Sequence, residues 1–196
     1  MSYTNLEKYK QWLRENLSEE RYEHSLGTAE KAYELAEKFG EDKDKAYLCG
    51  LIHDCAKCKQ DVDLKNIICN CKDLCDGELI NPKTYHAPAG AIIAQNELGI
   101  CDEEILSAAR WHTLGKIKMS NFEKIIFLAD KIEERTRPLD LILPIKKVLE
   151  EDNGLDKALL LCYGNTIKSL VDRNLKICYQ TIEIYNDLLN NLYSKG

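Results

Sequence analysis

The chain has four histidines in all, His24, His53, His86 and His112, and one of them stands beside an aspartate in the stretch GLIHDCAKC at 50–58. A histidine, an aspartate and a lysine are out of place in a run of small and apolar residues, because a buried charge is costly unless it is paired or holds a metal. His53 and Asp54 therefore need partners from elsewhere in the chain. With Asp130 the chain offers, in order, His, His-Asp, His, His, Asp. Imidazoles mixed with carboxylates suit one or two divalent transition-metal ions, and iron, manganese, zinc and nickel all accept such ligands. Any one of these histidines alone could simply satisfy a core hydrogen bond. Their joint order on helical positions points instead to a metal centre, whose chemistry is an activated water and a polarised oxygen.

The elements that must position these residues are helices. Ser18 followed by Glu19 and Glu20 predicts a helix start and Gly40 its stop, which puts His24 near the beginning of a long helix. A second helix from about Asp44 sets Ala46, Cys49, Gly50 and His53 on one stripe. On this reading 50–58 continues as buried helix, with Asp54 flanking the stripe and Lys57 on the face of Asp54. Pro88 fits the first turn of a helix ending at Leu98 and Gly99, so His86 is expected in the loop at its positive end. Asp102 caps the next helix, which carries Trp111 and His112 toward its end. Ser120 and Glu123 form a capping box opening NFEKIIFLADKIEERT, with Asp130 three turns along. GLDKALLLCYGNTIKSL and YQTIEIYNDLLNNLY predict two closing helices. No segment alternates as a half-buried strand would, so the fold is expected to be all-α.

A length of 196 residues with 44% hydrophobic content suits one compact domain, with core motifs at 18–135 and closing helices at 140–194. A net charge of −6 opposes general attraction to nucleic acid. No leader and no membrane-length apolar run is evident, which predicts a cytoplasmic protein with no membrane partner. Nine cysteines, an odd number in a chain with an ample core, are expected to be mostly reduced. Five of them crowd CAKC at 55–58 and CNCKDLC at 69–75, which raises structural zinc or an iron–sulfur cluster as a competitor. Zinc motifs usually sit on turns, whereas Cys55 and Cys58 continue the expected helix, so these thiols are expected to pack as small side chains.

The segments RYEHSLGTAEKAYELAEKFG, LIHDCAK, HAPAGAIIAQNELGI and EKIIFLADKIE together resemble the HD phosphohydrolase superfamily, and within it the YqeK-type branch of symmetrical diadenosine tetraphosphate hydrolases. The likeness runs from about residue 5 to 190 and is most specific at 21–24 and 128–133. It implies a single HD-type helical bundle in which His24, His53, Asp54 and Asp130 hold a divalent metal, with iron favoured. His53, Asp54, His86 and His112 would be catalytic. Asp54 would bridge two ions, with His86 and His112 completing the second site; with one ion these two histidines would face the phosphates. The implied partner is a small nucleotide, split into two ADP, and the resemblance leaves room for a homodimer.

Substrate contacts are expected from His24, Asp54, Lys57, His86, His112, Asp130 and Arg135, with Lys176 and Thr181 gripping the α-phosphate and ribose. Arg21, one turn before His24, could also reach phosphate. Arg135 suits a bidentate phosphate contact. Because EERTRP stands where the family has proline and glycine, the same role is open to Arg137. Cys178, Tyr179 and Gln180 replace the histidine, proline and aspartate of the family's late loop, so contacts to the nucleoside end carry over least. The alternatives are another nucleotide phosphohydrolase of the superfamily and a nucleotide sensor without turnover; the full set of candidate ligands favours an enzyme.

Overall fold

The computed structural model describes residues 6–69, 71 and 74–193. The described residues form α1 (Leu6–Asn16), α2 (Glu19–Phe39), α3 (Lys43–Ile52), α4 (Asp61–Ile68), α5 (Asp76–Leu79), a 3-10 turn (Pro82–Thr84), α6 (His86–Asn96), α7 (Glu103–Trp111), α8 (Asn121–Ile132), α9 (Leu139–Val148), α10 (Gly154–Asp172) and α11 (Tyr179–Tyr193). No strand occurs among them, and no described helix is long and apolar enough to cross a membrane.

The centre of the fold is α2 against α3 and α8, with α7 packed on both α3 and α8. α2 begins where Ser18, in extended conformation, accepts the amide of Arg21, and it ends at Gly40 in the left-handed region at φ 76°. α3 passes so close to α2 that a Cβ at Gly50 would lie 2.8 Å from the Ala29 Cα. That approach needs glycine on one side and small residues on the other, and it brings His24 and His53 into one layer. α8 supplies the third wall through Phe122, Ile125, Ile126, Leu128 and Ala129, all at 1% exposure or less. The capping box forms as the sequence requires: the Ser120 hydroxyl accepts the Glu123 amide and the Glu123 carboxylate accepts the Ser120 amide. α10 and α11 pack together and close the outside.

Two expectations are corrected. The stretch 50–58 does not continue as helix. α3 stops at Ile52, and the chain turns through three-residue hydrogen bonds from Cys55 N to Ile52 O, Lys57 N to Asp54 O and Lys59 N to Ala56 O. The cause is local: His53 Nδ1 donates to the Gly50 carbonyl at 2.7 Å, taking the acceptor that the Asp54 amide would use in a continuing helix. His86, expected in a loop, is the first residue of α6. The 3-10 turn runs into α6 through Tyr85 at φ −60°, ψ −31°. Pro88 tolerates the third position because first-turn amides have no intrahelical acceptor to lose. α1 is additional to the helices expected, and α9 falls, to within one residue, in the 140–194 span of the closing helices.

Candidate metal centre

All six predicted residues meet at one point inside the fold, at 5% exposure or less. His24 Nε2 lies 3.0 Å from Asp130 Oδ1 and 3.9 Å from Asp54 Oδ2. His53 Nε2 lies 3.8 Å from Asp54 Oδ2 and 4.0 Å from Asp130 Oδ1. His86 Nε2 and His112 Nε2 approach the other oxygen of Asp54, at 3.2 and 3.4 Å. The carboxylate of Asp54 thus faces two pairs of imidazoles, one on each oxygen.

The far side of three rings is fixed. His53 and His112 occupy equivalent places one residue past the ends of α3 and α7, and each Nδ1 bonds the carbonyl three residues back, Gly50 O at 2.7 Å and Ala109 O at 2.6 Å. A carbonyl only accepts, so Nδ1 carries the hydrogen and Nε2 presents its lone pair to the cluster. His24 Nδ1 is held by the Glu133 carboxylate at 3.1 Å. Glu133 is fully buried and also accepts the amides of Arg135 and Thr136. An imidazole oriented by a carboxylate or carbonyl behind it is the usual support of a metal ligand.

Whether an ion fits is answered by the atoms left over. His24 Nε2, His53 Nε2 and Asp54 Oδ1 are buried and make no well-aligned hydrogen bond, although carboxylate oxygens or imidazole nitrogens lie near them. Unsatisfied buried groups cost about 1–3 kcal/mol each, so three converging at one place fit a cation as the common partner. The donor atoms fall into two sets, His24 with His53 and Asp130, and His53 with Asp54 and His112, each within 4.8 Å. Imidazole and carboxylate donors in such sets suit a divalent transition metal.

Protonation agrees with that use at His53, His86 and the two aspartates. Burial pushes His53 down to about 3 and lowers His86 as well, keeping both neutral near pH 7. Burial would raise Asp54, but His53, His112 and His86 outweigh it and hold the carboxyl well below its usual range. For Asp130 burial is likewise outweighed, by Lys131, His24, His53 and Arg137. His24 differs: the lowering effect of burial is overcome by the nearby Asp130 and Glu133 carboxylates, which raise it, so a cation at its Nε2 would have to displace a proton. The helix ends add to this: α3 and α7 bring negative C-termini to the cluster, which favours a cation, while α6 brings its positive N-terminus at His86, which favours an anion.

Four cations surround the cluster. Lys131 Nζ and Arg137 Nη2 contact Asp130 at 2.6 and 2.7 Å, Lys57 Nζ lies 3.0 Å from His86 Nε2, and Arg21 Nη1 lies 3.7 Å from Asp54 Oδ2. Lys57 reaches the site as expected, but from a turn rather than from a helical face. Arg135 does not reach it. Glu133 accepts the Arg135 and Thr136 amides and so turns the chain at 133–136. That sends the Arg135 guanidinium to Glu23 and Glu30 on α2 and returns Arg137 over Asp130. Lys176 and Thr181 line a cavity of about 290 Å³ that shares Thr113 and Lys131 with the cluster. Thr113 Oγ1 lies 3.1 Å from His86 Nε2 and 3.0 Å from His112 Nε2. Glu133 and Thr113 were not singled out by sequence; the signal for Glu133 was a charge three residues after Asp130 at a buried helix end.

The cysteines of 55–75 do not gather with these ligands. Cys55 is buried against the Gly90 carbonyl, and burial pushes its thiol up to about 12. Cys58 and Cys69 are exposed, and Cys71 and Cys75 half-buried. Asn70, Lys72 and Asp73 lie outside the described residues.

An all-α fold around an adjacent His-Asp pair with outlying histidines and a late aspartate defines an HD domain, and the HD domain family model matches residues 21–135. The chain is 37% identical over 180 residues to the symmetrical bis(5'-nucleosyl)-tetraphosphatase of Bacillus subtilis, covering 91% of this chain and 94% of that one. It is 34% identical to the protein of the same name from Staphylococcus aureus, covering 93% of both. It therefore belongs to the HD-domain family, in the branch these relatives form. Among solved structures, a predicted HD superfamily hydrolase involved in NAD metabolism from Clostridium acetobutylicum is 39% identical and superposes with a TM-score of 0.89, covering 95% of this chain and 98% of that one.

Proposed function

We propose that this protein hydrolyses dinucleoside tetraphosphates, diadenosine tetraphosphate foremost, symmetrically into two nucleoside diphosphates. The observation that carries the reading is the convergence of buried, unpartnered donor atoms beside a cavity that shares Thr113 and Lys131 with the cluster. The names of the relatives in Bacillus and Staphylococcus support the same substrate. His24, His53, Asp54 and Asp130 would hold a divalent ion, iron being favoured by the family resemblance, and His86 and His112 with Asp54 would hold a second ion if one binds. Such an ion supplies Lewis-acid polarisation of a phosphoryl oxygen and a more acidic water. Free thiols and the absence of a membrane-length apolar helix among the described residues suit a reducing, cytoplasmic setting.

The chain's own groups do the rest. Lys131 and Arg137, already on Asp130, and Arg21 beside Asp54 supply positive charge to the phosphates. With one ion bound, His86, at the positive end of α6 with Lys57 alongside, would face the phosphoryl oxygens, and the Thr113 hydroxyl donates from the cavity side. Lys176 and Thr181 hold the α-phosphate and ribose of one half. Two phosphates lie between that nucleoside and the cluster, so the reacting phosphorus is the second from the held end, and the leaving group is a nucleoside diphosphate.

The test is the product distribution of the metal-loaded protein. Diadenosine tetraphosphate should give ADP as the sole nucleotide, and in labelled water one of the two ADP molecules should carry the heavy oxygen on its terminal phosphate. Equal ATP and AMP would overturn the symmetric reading. Preferential turnover of mononucleotides would move the protein to another HD-type nucleotide phosphohydrolase.

A further inference from the structure

The start of α11 is joined to the candidate metal cluster by a short chain of contacts through the side chain of Gln180. Gln180 Nε2 donates to the Gly115 carbonyl at 2.7 Å, and Gln180 Oε1 accepts from the Cys75 thiol at 3.2 Å. One amide therefore ties α11 to both the 112–115 turn and the entry of α5. Both partners are tightly placed. Gly115 sits at φ 70° directly beneath the Tyr163 hydroxyl, which donates to the Leu114 carbonyl at 2.8 Å. A Cβ at Gly77 in α5 would come 2.7 Å from Cys178 Sγ and 3.1 Å from Gln180 Oε1, so that helix can lie against the α11 start only with glycine there.

The turn so pinned is short and carries three functions in sequence. His112 is a candidate metal ligand, Thr113 sets its hydroxyl between the Nε2 atoms of His86 and His112, and Leu114 is wall of the nucleotide-end cavity. The turn is closed at its base by the Gly115 amide on the Trp111 carbonyl at 2.7 Å. Cys178 and Thr181, on either side of Gln180, line the same cavity. Gln180 itself does not.

We propose that Gln180 is a positioning residue for the nucleotide-end cavity: by holding Gly115 it fixes the separation between the cavity wall and the Thr113 hydroxyl at the metal cluster. This rests on the reading of that cavity as the site of the nucleoside diphosphate half. The side chain neither lines the cavity nor bonds a candidate ligand. Its loss should therefore be felt in substrate binding and not in metal retention. One neutral hydrogen bond is worth about 0.5–1.5 kcal/mol, which corresponds to roughly a two- to tenfold change in affinity.

The experiment compares Gln180→Glu and Gln180→Met with the wild-type protein, each loaded with iron. Glutamate keeps the shape but cannot donate to Gly115, and methionine keeps the bulk without either bond. Both variants should raise the KM for diadenosine tetraphosphate at least threefold, leave kcat within a factor of two, and bind wild-type equivalents of iron. Affinity for ADP should fall by the same factor in a direct binding measurement. A wild-type KM in Gln180→Glu would overturn the proposal, since a space-filling role is met by glutamate. So would parallel loss of iron and kcat, which would make Gln180 part of the general framework. ADP binding reads the cavity even if the wild-type protein fails to cleave the tetraphosphate, so the two readings fail separately.

Discussion

Each side chain of the ligand cluster sits on a helix or within two residues of its end, and three of its rings are gripped from behind, two by carbonyls of their own helix and one by the buried Glu133. The cavity beside it is walled differently, by the segments 80–84, 113–114 and 173–181 as well as by α8 and α10. Helix ends packed on a small-residue interface allow little displacement, as the 2.8 Å approach at Gly50 shows. Loops tied by single side-chain bonds can be retuned one bond at a time. In the proposed reading the cluster is therefore the preformed part, which would hold the ion, and the cavity the adjustable part, which would set the phosphorus presented to it.

Breaking the cluster should have the largest effect. Asp54→Ala removes the carboxylate shared by four imidazoles, leaving Asp130 as the carboxylate among the facing nitrogens and Glu133 behind His24. Retention of divalent metal should be lost and hydrolysis should fall by about three orders of magnitude or more, since metal assistance supplies several kcal/mol. The helical circular dichroism should be unchanged. Wild-type metal content in that variant would remove the metal reading altogether.

That prediction was available from sequence, because four histidines and two aspartates in a fixed order on helical positions restrict the chemistry more than any one contact does. The all-α class and the caps at Ser18, Asp102 and Ser120 were legible for the same reason, each being a local rule that tertiary packing leaves intact. What was not legible depends on side chains competing for backbone. The end of α3 at Ile52 is decided by the His53 ring taking the Gly50 carbonyl, and periodicity carries no trace of it. The entry of α6 was misplaced because a proline fits every position of a first turn. Arg135 and Arg137 could not be separated, since their directions follow from a turn that the buried Glu133 imposes. Lys176 and Thr181 do reach the cavity, yet the Gln180 bond beside them needed the fold to appear.

Glu133 sharpens the contrast from behind the cluster. Glu133→Ala frees the His24 ring and should weaken iron binding about 10- to 100-fold, the usual cost of losing such an outer partner. Glu133→Gln, which still offers an acceptor to Nδ1, should fall between alanine and wild type. Gly27→Ala should act in the same direction, because its methyl would collide with the Glu133 carboxylate. Metal titration of the apo-proteins decides this, and equal affinities for all three variants and the wild type would show that His24 needs no support.

The two arginines test where cluster and cavity divide. Arg137→Ala should raise the KM for the tetraphosphate about tenfold, as expected for a charge-assisted contact. Arg135→Ala should change it by about twofold or less, because an ion pair with Glu23 and Glu30 at one-third exposure is largely screened. The reverse order would return the phosphate contact to Arg135 and require the 133–136 turn to rearrange on binding.

The smallest effect belongs to the cavity rim. Lys176 is exposed and lines the cavity together with Lys83 and Arg173, on a protein whose net charge is −6. A polyphosphate approaching an acidic protein meets overall repulsion, so a local group of three cations is what makes its entry favourable. Each acts through solvent, where an exposed charge pair is worth about 0.2–1 kcal/mol, and each is screened once the Debye length falls from about 10 Å at 0.1 M salt to about 3 Å at 1 M. Lys176→Ala should therefore raise KM roughly two- to fivefold at low salt, and the difference should vanish at high salt, with kcat and iron content unchanged throughout. A loss that persisted at 1 M salt would mean that Lys176 makes a direct charge-assisted contact of the kind assigned to Arg137, and the cavity would then be as preformed as the cluster.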